Sequence, residues 1–561
     1  MVALVATLLG CVTTFPLILH LDSSIYGTPG DSTGTIAIFW WWAYAVQHGK
    51  PILDNTMWGV PFGADWGQRP FAVLPLVLFT PLTLAFGSIT AWNLATLASF
   101  PLTAVFTYLL ARRLTLSPLG AAFGALAFSF IPYHQEKATG HMFQAHMELF
   151  PALLLLLFRW RTGGSRWNLL GAGAVLGLGV WIDYEFAFIM IFAAAAFFIV
   201  STLSPRQNGT PFRHRLGQHL SGALTMAAAV LPFLPPAVLL GHRPGSGTGY
   251  ARSVIASATL FPRNLGDIDI YSVRPWEYFL PWSANPLLPG FVRNFEAHHL
   301  HGSNGVEQAQ FLGYTVIALA LVALAWFRPR FPVLLGLSLV IVGGLLALPA
   351  HVHLWDLVLP GPAAFLNHIV PFFRVYARFG LLVMLGATLL AGLGFSVYEG
   401  LVRGHHAGWL VALPFLLLAV EFNAIPPTHT TTLLPAPDEY LWLRDQPSGI
   451  LIEYPVVVTN VEIEIQNSED ILYQQIHLHP LFNGAGAKTR AAEVAPTLDP
   501  YYGPGVAARL RALGIRYVFV HRHDYAAAGY RLPQTVDGFD YVGSYYHGDV
   551  EAFVVSGNAG G

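Results

Sequence analysis

The sequence predicts a mainly α-helical polytopic membrane protein with about eleven transmembrane helices, further interfacial helices and a small C-terminal α/β domain outside the membrane. Three observations predict this fold class. Of 561 residues, 54% are hydrophobic and only 11% are charged, whereas about a quarter of the residues of a soluble protein are charged. Apolar blocks of bilayer-crossing length recur between residues 3 and 422. After residue 422 no such block follows, and the sequence alternates between short strand and helix patterns.

The apolar blocks set the predicted spans, because a helix needs roughly 20 mostly apolar residues to cross the hydrocarbon core. The predicted spans are 3–20, 91–111, 118–133, 147–159, 167–183, 186–203, 218–240, 312–327, 331–349, 379–397 and 408–422. The apolar segment 70–87 contains Pro70, Pro75 and Pro81, which favour a broken, re-entrant or juxtamembrane helix, although its length would also allow it to cross.

The basic connectors set the predicted orientation. If 70–87 does not cross, they all fall on one side, which the positive-inside rule makes cytoplasmic; they are Arg112–Arg113, Arg159–Arg166, Arg206–Arg215, Arg328–Arg330 and Arg403. The protein is then predicted to lie in the inner (plasma) membrane with its N-terminus in the cytoplasm. Outer loops at 21–90, 133–148, 241–311 and 350–378 and the domain 423–561 are predicted on the other face.

Charge and cysteine content exclude some partners and bonds. The 29 Lys and Arg residues against 31 Asp and Glu residues give no basic field, so nucleic acid is not a predicted partner. Cys11 is the one cysteine, so no disulfide can form within the chain.

The first outer loop carries the leading catalytic candidate. Asp31 follows Gly30 about ten residues after the first span, and an acidic residue close to lipid is a functional-site candidate by default. The aromatic stretch 36–46 is too short to span, and we interpret it as a helix lying along the membrane interface. The alternative is that Asp31 only caps this helix.

The second outer loop groups ligand-type side chains. Glu136, His141, His146 and Glu148 lie within one short segment and are candidates for an acceptor or metal site. If 141–148 is helical, His141 and Glu148 share a face. The alternative is a set of solvated groups beside lipid headgroups.

The loop 241–311 combines carboxylates and imidazoles: Glu296, His298, His299, His301 and Glu307. Their spacing matches no structural zinc site. We therefore expect a mobile substrate-binding loop, the alternative being an ordinary polar loop.

Two arginines precede the span 379–397. Arg374 and Arg378 lie on the predicted outer side, against the positive-inside tendency, and arginine suits bidentate phosphate recognition. A lipid-phosphate clamp is the hypothesis, with headgroup anchoring as the alternative.

The C-terminal region has no nucleotide-binding signature. Strands are predicted at 450–454, 517–521, 540–546 and 550–555, and helices at 438–445, 469–477 and 501–513. No Walker A motif, HExxH motif, nucleophile elbow or G-x-G-x-x-G turn occurs, so ATP-driven chemistry is unsupported.

Several motifs together resemble a family. They are Asp31 after a first span, the interfacial helix, Pro61–Trp66, Ser129–His134, Gly140-His141, Glu148–Pro151, Gln310–Tyr314 and the Arg374/Arg378 approach to a later span. This layout resembles the GT-C glycosyltransferase superfamily, which includes protein mannosyltransferases, aminoarabinose transferases and oligosaccharyltransferases.

The resemblance implies transfer of a sugar from a polyprenyl-phosphate donor to a glycan, lipid or protein acceptor on the outer face. It implies Asp31 as base or acceptor orienter, and Glu136, His141, Glu148 and Asp65 as acceptor- or metal-site candidates. A divalent cation, Mg or Mn, is the implied cofactor. The second loop has no aspartate, however, which argues against metal dependence of the oligosaccharyltransferase kind.

Two other functions are alternatives to a glycosyltransferase. A lipid-linked glycan transporter or flippase would place charged residues at mid-span depth and repeat broken helices in two halves. A non-catalytic membrane scaffold would keep the architecture and present the C-terminal domain to partners.

Overall fold

The computed structural model describes residues 1–65, 73–114, 117–204, 211–234, 264–288, 290–299, 301, 305–327, 330–354, 357–371, 373–404, 407–423, 430–457, 461–484, 489–533 and 536–557. The chain divides into two compact units. Unit 1 comprises Met1–Ile18, Pro70–Pro75 and Ala95–Thr428, and unit 2 comprises Leu19–Arg69, Leu76–Leu94 and His429–Gly561.

In its described residues, unit 1 consists of helices and connecting loops with one hairpin. Its helices are α1 Val2–Thr13, α5 Pro118–Ser129, α6 Pro132–Gly140, α7 Met142–Ala145, α8 Leu149–Arg161, α9 Trp167–Ile182, α10 Tyr184–Leu203, α11 Phe212–Val230, α12 Leu265–Ile270, α13 Gly290–His299, α14 Tyr314–Trp326, α15 Arg330–Leu346, α16 Pro362–Ile369, α17 Gly380–Gly404 and α18 Leu413–Glu421. The hairpin pairs β4 His351–Leu354 with β5 Leu357–Pro360. Helices α3 Val73–Phe86 and α4 Ser88–Arg113 belong partly to each unit.

Four helical segments in the described residues are long and apolar enough to cross a membrane: Ser88–Arg113, Met142–Arg161, Tyr184–Leu203 and Tyr376–Gly404. Together with the composition they identify an integral membrane protein. Shorter apolar helices lie at six of the other predicted positions, whereas the span predicted at 218–240 overlaps α11, which is not among them, and residues 235–240 are outside the described residues. The count of eleven spans therefore stays a prediction, as does the question of whether 70–87 crosses.

Helix α17 forms the centre of unit 1. All of its residues from Gly380 to Phe395 are buried, and α5, α14 and α15 pack around it. Close approach requires glycine at the contacts, because a Cβ on Gly394 would collide with the Leu319 carbonyl oxygen of α14. The all-round apolar sequence is typical of a helix buried on every face.

Unit 2 combines a small sheet with helices. Its remaining elements are β1 Ser24–Tyr26, α2 Asp31–Gln47, β2 Asp54–Asn55, β3 Ala64–Asp65, β6 Thr430–Thr432, α19 Asp438–Arg444, β7 Ile450–Tyr454, α20 Val461–His477, α21 Arg490–Val494, α22 Val506–Ala512, β8 Ile515–His521, α23 Arg522–Ala527, β9 Phe539–Tyr545 and β10 Val550–Val555. The sheet order is β7-β8-β10-β9, with β7 parallel to β8 and the other pairs antiparallel. Unit 2 also contains most of the segment 21–90 that is predicted as the first outer loop, and the domain boundary at 423 stays a prediction.

Helix α2 is longer than the predicted interfacial helix, whose position at the membrane surface stays a prediction. It begins at Asp31, five residues before the predicted start at 36, and its Trp41 and Trp42 side chains are buried. Phe39 packs against Phe79 and Trp92, and the helix lies against α20. The aromatic run therefore forms protein core in unit 2, a packing that the composition of the stretch could not distinguish from burial at headgroup level.

Candidate functional site

The first part of the segment predicted as the second outer loop folds as the largely buried helix α6. Pro132 opens α6 at its first position, which suits a residue without an N–H. The His134 ring is stacked on Phe100 and bonded to Ser99 Oγ at 3.0 Å and to the Ser129 carbonyl at 2.6 Å. These contacts fix α6 within unit 1, and with it the positions of Glu136 and Lys137.

A buried ionic network joins four separate segments of unit 1. Lys137 Nζ lies 2.6 Å from Glu307 Oε1, and Arg378 donates to the same oxygen from Nε at 3.1 Å and from Nη2 at 3.0 Å. Arg378 Nη1 also pairs with Glu185. Asp183 caps α10 by accepting from the Glu185 backbone N–H at 2.8 Å, which orients the first turn of that helix.

Charge balance makes this network tolerable in the interior. Lys137 is fully buried and Arg378 is 9% exposed, and such charges are costly unless paired. Burial by itself raises the pKa of the Glu307 carboxyl, but Lys137 and Arg378 outweigh it and bring the pKa down to about 2. Glu307 is therefore a fixed anion and is unsuited to be a proton acceptor at neutral pH.

A cavity of about 310 Å³ lies next to this network. Its wall includes Trp282, Arg293 and Gln308, the residue after Glu307. Trp282 donates from Nε1 to Glu136 Oε1 at 2.7 Å. Burial raises the pKa of Glu136, and the Trp282 hydrogen bond only partly counteracts it. Aromatic walls with a few polar groups are typical of a small-molecule site.

His141 and Glu148 do not share one helical face. The chain is helical in α7 but turns at 146–148 before α8 begins at Leu149. His146 Nδ1 instead contacts Glu148 Oε1 at 2.9 Å, both residues being buried. The predicted shared face required residues 141–148 to form one helix. The turn at 146–148 interrupts that helix, so the prediction is wrong.

Asp31 and Asp65 belong to unit 2. Asp31 is the exposed first residue of α2, preceded by Gly30 at φ +136°, a conformation that favours glycine. The Gly30 backbone N–H donates to Thr33 Oγ1 at 3.1 Å, so the threonine supports the start of the helix. Asp65 lies in β3 opposite Asp54, and its side chain is outside the described residues.

The two outer arginines have different surroundings. Arg378 is held by Glu307 and Glu185 as described, whereas the Arg374 guanidinium lies over the Tyr271 ring, 4.4 Å from its centroid. Arg374 is half-buried. Phosphate binding stays a prediction for both residues. Of the two, only Arg378 is enclosed by the ionic network.

The histidine-rich loop does not form one cluster in its described part. His298 and His299 are exposed on α13 and contact carbonyls of their own helix. His301 Nε2 contacts Glu277 Oε1 at 2.7 Å, while Glu307 belongs to the ionic network. Glu296 also lies on α13, and its side chain is outside the described residues. Residues 241–263 are outside them as well, so loop mobility stays a prediction.

Several residues of this site are not predicted from the sequence. Glu185 falls in a short polar break between two predicted spans, although an acidic residue opening an apolar helix is itself a signal of function. Lys137, Glu277 and Trp282 carry no predicted role. Their partners lie more than a hundred residues away, or across a loop, and one sequence contains no signal of such pairing.

A second cluster lies in unit 2. Among the described residues, Glu453, Asp470 and His521 are the one group of three that places ligand-type atoms within 4.8 Å of one another. His521 Nε2 lies 2.9 Å from Glu453, and Tyr440 Oη lies 2.9 Å from Glu453 and 3.1 Å from Asp470. Burial lowers the pKa of His521, but Asp470 and Glu453 outweigh it and raise the pKa to about 10. The protonated imidazole therefore pairs with both carboxylates in this arrangement, and the same three side chains could hold a metal ion only after His521 loses its proton.

The fold is similar to the solved structures of an arabinofuranosyltransferase and an oligosaccharyltransferase, which confirms the predicted resemblance at the level of fold. The arabinofuranosyltransferase AftD from mycobacteria aligns with 100% of this chain at 15% identity and a TM-score of 0.59. This chain spans 40% of AftD's length. No protein-family model and no curated protein sequence matches the chain.

Two further solved structures share the fold. The Archaeoglobus fulgidus oligosaccharyltransferase in complex with Zn and sulfate aligns over 97% of this chain and 72% of its own at 15% identity and a TM-score of 0.56. ArnT from Cupriavidus metallidurans, bound to undecaprenyl phosphate, aligns over 100% of this chain and 98% of its own at 12% identity and a TM-score of 0.50.

Proposed function

We propose that this protein is a membrane glycosyltransferase that moves a sugar from a polyprenyl-phosphate donor to an acceptor hydroxyl or amide on the outer face. The observation that carries the proposal is the alignment of the whole chain with transferases of this fold, one of them bound to undecaprenyl phosphate. The cavity beside the ionic network supports it, because its aromatic walls and polar groups suit a sugar ring.

In the proposed reaction the acceptor attacks the anomeric carbon as the bond from that carbon to the phosphate oxygen breaks. The acceptor proton passes to a carboxylate, for which Asp31 is the proposed base, and the electron pair leaves with the phosphate. Positive charge stabilises the leaving group. Arg374 is proposed to meet the phosphate, while Arg378 holds Glu185 and Glu307 in place. No nucleophile of the protein is required.

The proposal places the protein in the inner membrane with a cytoplasmic N-terminus and its polar loops outside. Glu136, His141, Glu148 and Asp65 remain proposed acceptor- or metal-site residues. Dependence on Mg or Mn is tested by activity with and without a chelator. A transporter is the second candidate, but the charged network contacts loop segments such as α6 and the turn Gly305–Gln308, a pattern that does not favour it.

The test is a transfer assay with purified protein in detergent. The assay supplies synthetic polyprenyl-phosphate sugars, including mannose, arabinose and aminoarabinose, together with a membrane extract as acceptor. Release of polyprenyl phosphate that depends on both acceptor and protein supports the proposal. Donor that crosses vesicle membranes without cleavage would support the transporter instead.

A further inference from the structure

Unit 2 contains a cavity of about 350 Å³ that the proposed reaction does not use. Its walls come from the segment around β6, the start of α19, α20, the end of β8 and the turn between β9 and β10. The lining includes Glu439, Glu469 and Asp549, together with Tyr473 and Tyr546. A volume of this size lies within the range of small-molecule sites.

Glu439 brings a buried carboxylate to the cavity wall. The residue is 2% exposed and lines the cavity, yet its Oε2 atom has no hydrogen-bond partner among the described residues. A buried carboxylate oxygen without a partner is costly. Burial raises the pKa of Glu439 to about 7, and the hydrogen bond from its own backbone N–H only partly counteracts it. A hydroxyl or amine entering the cavity would supply a hydrogen-bond donor.

The back wall adds further negative charge. Tyr440 and His521 line the cavity, and behind them they hold the carboxylates of Glu453 and Asp470. The protonated His521 is the one cation among the cavity's described lining residues. The surrounding field is therefore negative, which opposes phosphorylated or carboxylated ligands.

The arrangement of the lining carboxylates favours a ligand larger than a single ion. The three lining carboxylates Glu439, Glu469 and Asp549 do not form a group whose oxygens converge within 4.8 Å in the described residues, so they do not surround a single point. They stand instead around a space whose wall also includes Tyr473 and the exposed Tyr546. Dispersed carboxylate acceptors with aromatic walls match a molecule that has several hydroxyl donors and an apolar face, which is the chemistry of a sugar ring.

We infer that this cavity binds an uncharged or amine-bearing sugar residue, with its hydroxyl or amino groups donating to Glu439, Glu469 and Asp549. The inference deepens the proposed function, and rests on it only in assigning the bound sugar to the acceptor glycan. The pocket discriminates against phosphorylated and uronic sugars.

The test measures sugar binding to the full chain in detergent by saturation-transfer difference NMR. The probes are methyl glycosides of mannose, galactose, glucose and arabinose, then glucosamine, and glucuronate as the anionic counterpart. We expect signals from at least one methyl glycoside or from glucosamine, and none from glucuronate. Glu439→Ala should weaken that binding about tenfold, because it removes hydrogen bonds to a charged acceptor.

Matched variants keep the result interpretable. Asp537→Asn removes an exposed carboxylate of unit 2 outside the cavity and should bind like the wild type. Tyr546→Ala alters an exposed lining residue and covers the case in which Glu439→Ala fails to fold. The inference is overturned if no probe gives a signal or if glucuronate binds as well as the other sugars. It is also overturned if the folded variants of the lining residues Glu439 and Tyr546 bind as tightly as the wild type. The binding assay contains no polyprenyl-phosphate sugar, so it tests the pocket separately from the transfer reaction. If the protein transfers sugar but binds none of the probes, only the inference about this pocket is rejected. If it binds the probes but transfers no sugar, only the proposed function is rejected.

Discussion

Asp31 is the side chain on which the proposed chemistry most depends. It is exposed at the first position of α2, where a carboxylate could serve either as base or only as a favourable charge at the helix N-terminus. Asp31→Asn preserves size and removes the charge. If Asp31 is the base, transfer should fall by about 10²–10⁴-fold with unchanged thermal stability.

The control for this variant is Asp22→Asn, an exposed carboxylate of the same loop, which should transfer sugar normally. Near-wild-type transfer by purified Asp31→Asn would show that Asp31 acts only at the start of the helix, where its charge is worth about 0.3–1 kcal/mol.

Glu307 is the shared anion of the ionic network. Glu307→Gln leaves the fully buried Lys137 without its carboxylate, and breaking a buried pair costs about 3–5 kcal/mol. We expect a clear fall in unfolding temperature, measured by Trp fluorescence in detergent. Adding Lys137→Met should recover part of the loss, since the double variant removes the unpaired charge. A single variant as stable as the wild type would contradict the assignment.

His521 gives unit 2 a pH dependence with a defined sign. Its folded pKa of about 10 lies above the ordinary value of 6.5, because Asp470 and Glu453 outweigh the effect of burial. A raised pKa contributes stability that is complete below pH 6.5 and is lost as pH rises through 10. The wild type should therefore lose unfolding temperature between pH 7 and 10, and His521→Gln should lose less. Parallel curves for the two proteins would refute this assignment.

At the scale of elements, helix packing in unit 1 depends on glycine contacts. Gly394 of α17 faces the Leu319 carbonyl of α14, whereas a Cβ added at Gly400, six residues further along α17, would meet no atom within 4 Å among the described residues. Gly394→Ala should destabilise the protein by more than about 1 kcal/mol through overpacking. Gly400→Ala should be neutral or stabilising by up to about 1 kcal/mol. Thermal unfolding of the two variants in the same detergent compares them, and equal effects would show that α14 and α17 are not in close contact.

Helix α6 is held in place by hydrogen bonds and an ion pair to neighbouring segments. His134 and Gln135 anchor the helix to backbone carbonyls, Gln135 Nε2 reaching the Phe130 oxygen at 2.7 Å. Lys137 then meets Glu307 from a distant segment. A short polar helix with low apolar content is held by such contacts and not by helix propensity.

At the scale of the whole molecule, orientation is the prediction with the widest consequence. In a Cys11→Ser background, single cysteines at Ser165 and Arg113 should be protected from an impermeant maleimide in right-side-out vesicles. Cysteines at His298 and Arg444, which are exposed positions of the predicted outer face, should react. Labelling of Arg444→Cys from the cytoplasmic side alone would reverse the topology and remove an outer-face reaction.

The sequence by itself determined the membrane class and the positions of most helices and strands, because hydrophobic run length and period are local properties. Strand β7, for example, lies at the predicted residues 450–454. Tertiary structure alone decided that Arg378 pairs with Glu185 and Glu307, that Trp282 reaches Glu136, and that the aromatic run of α2 is buried in protein. The physical reason is that charge pairing and side-chain burial depend on segments far apart in the chain, whose meeting is set by packing and leaves no periodic signal in one sequence.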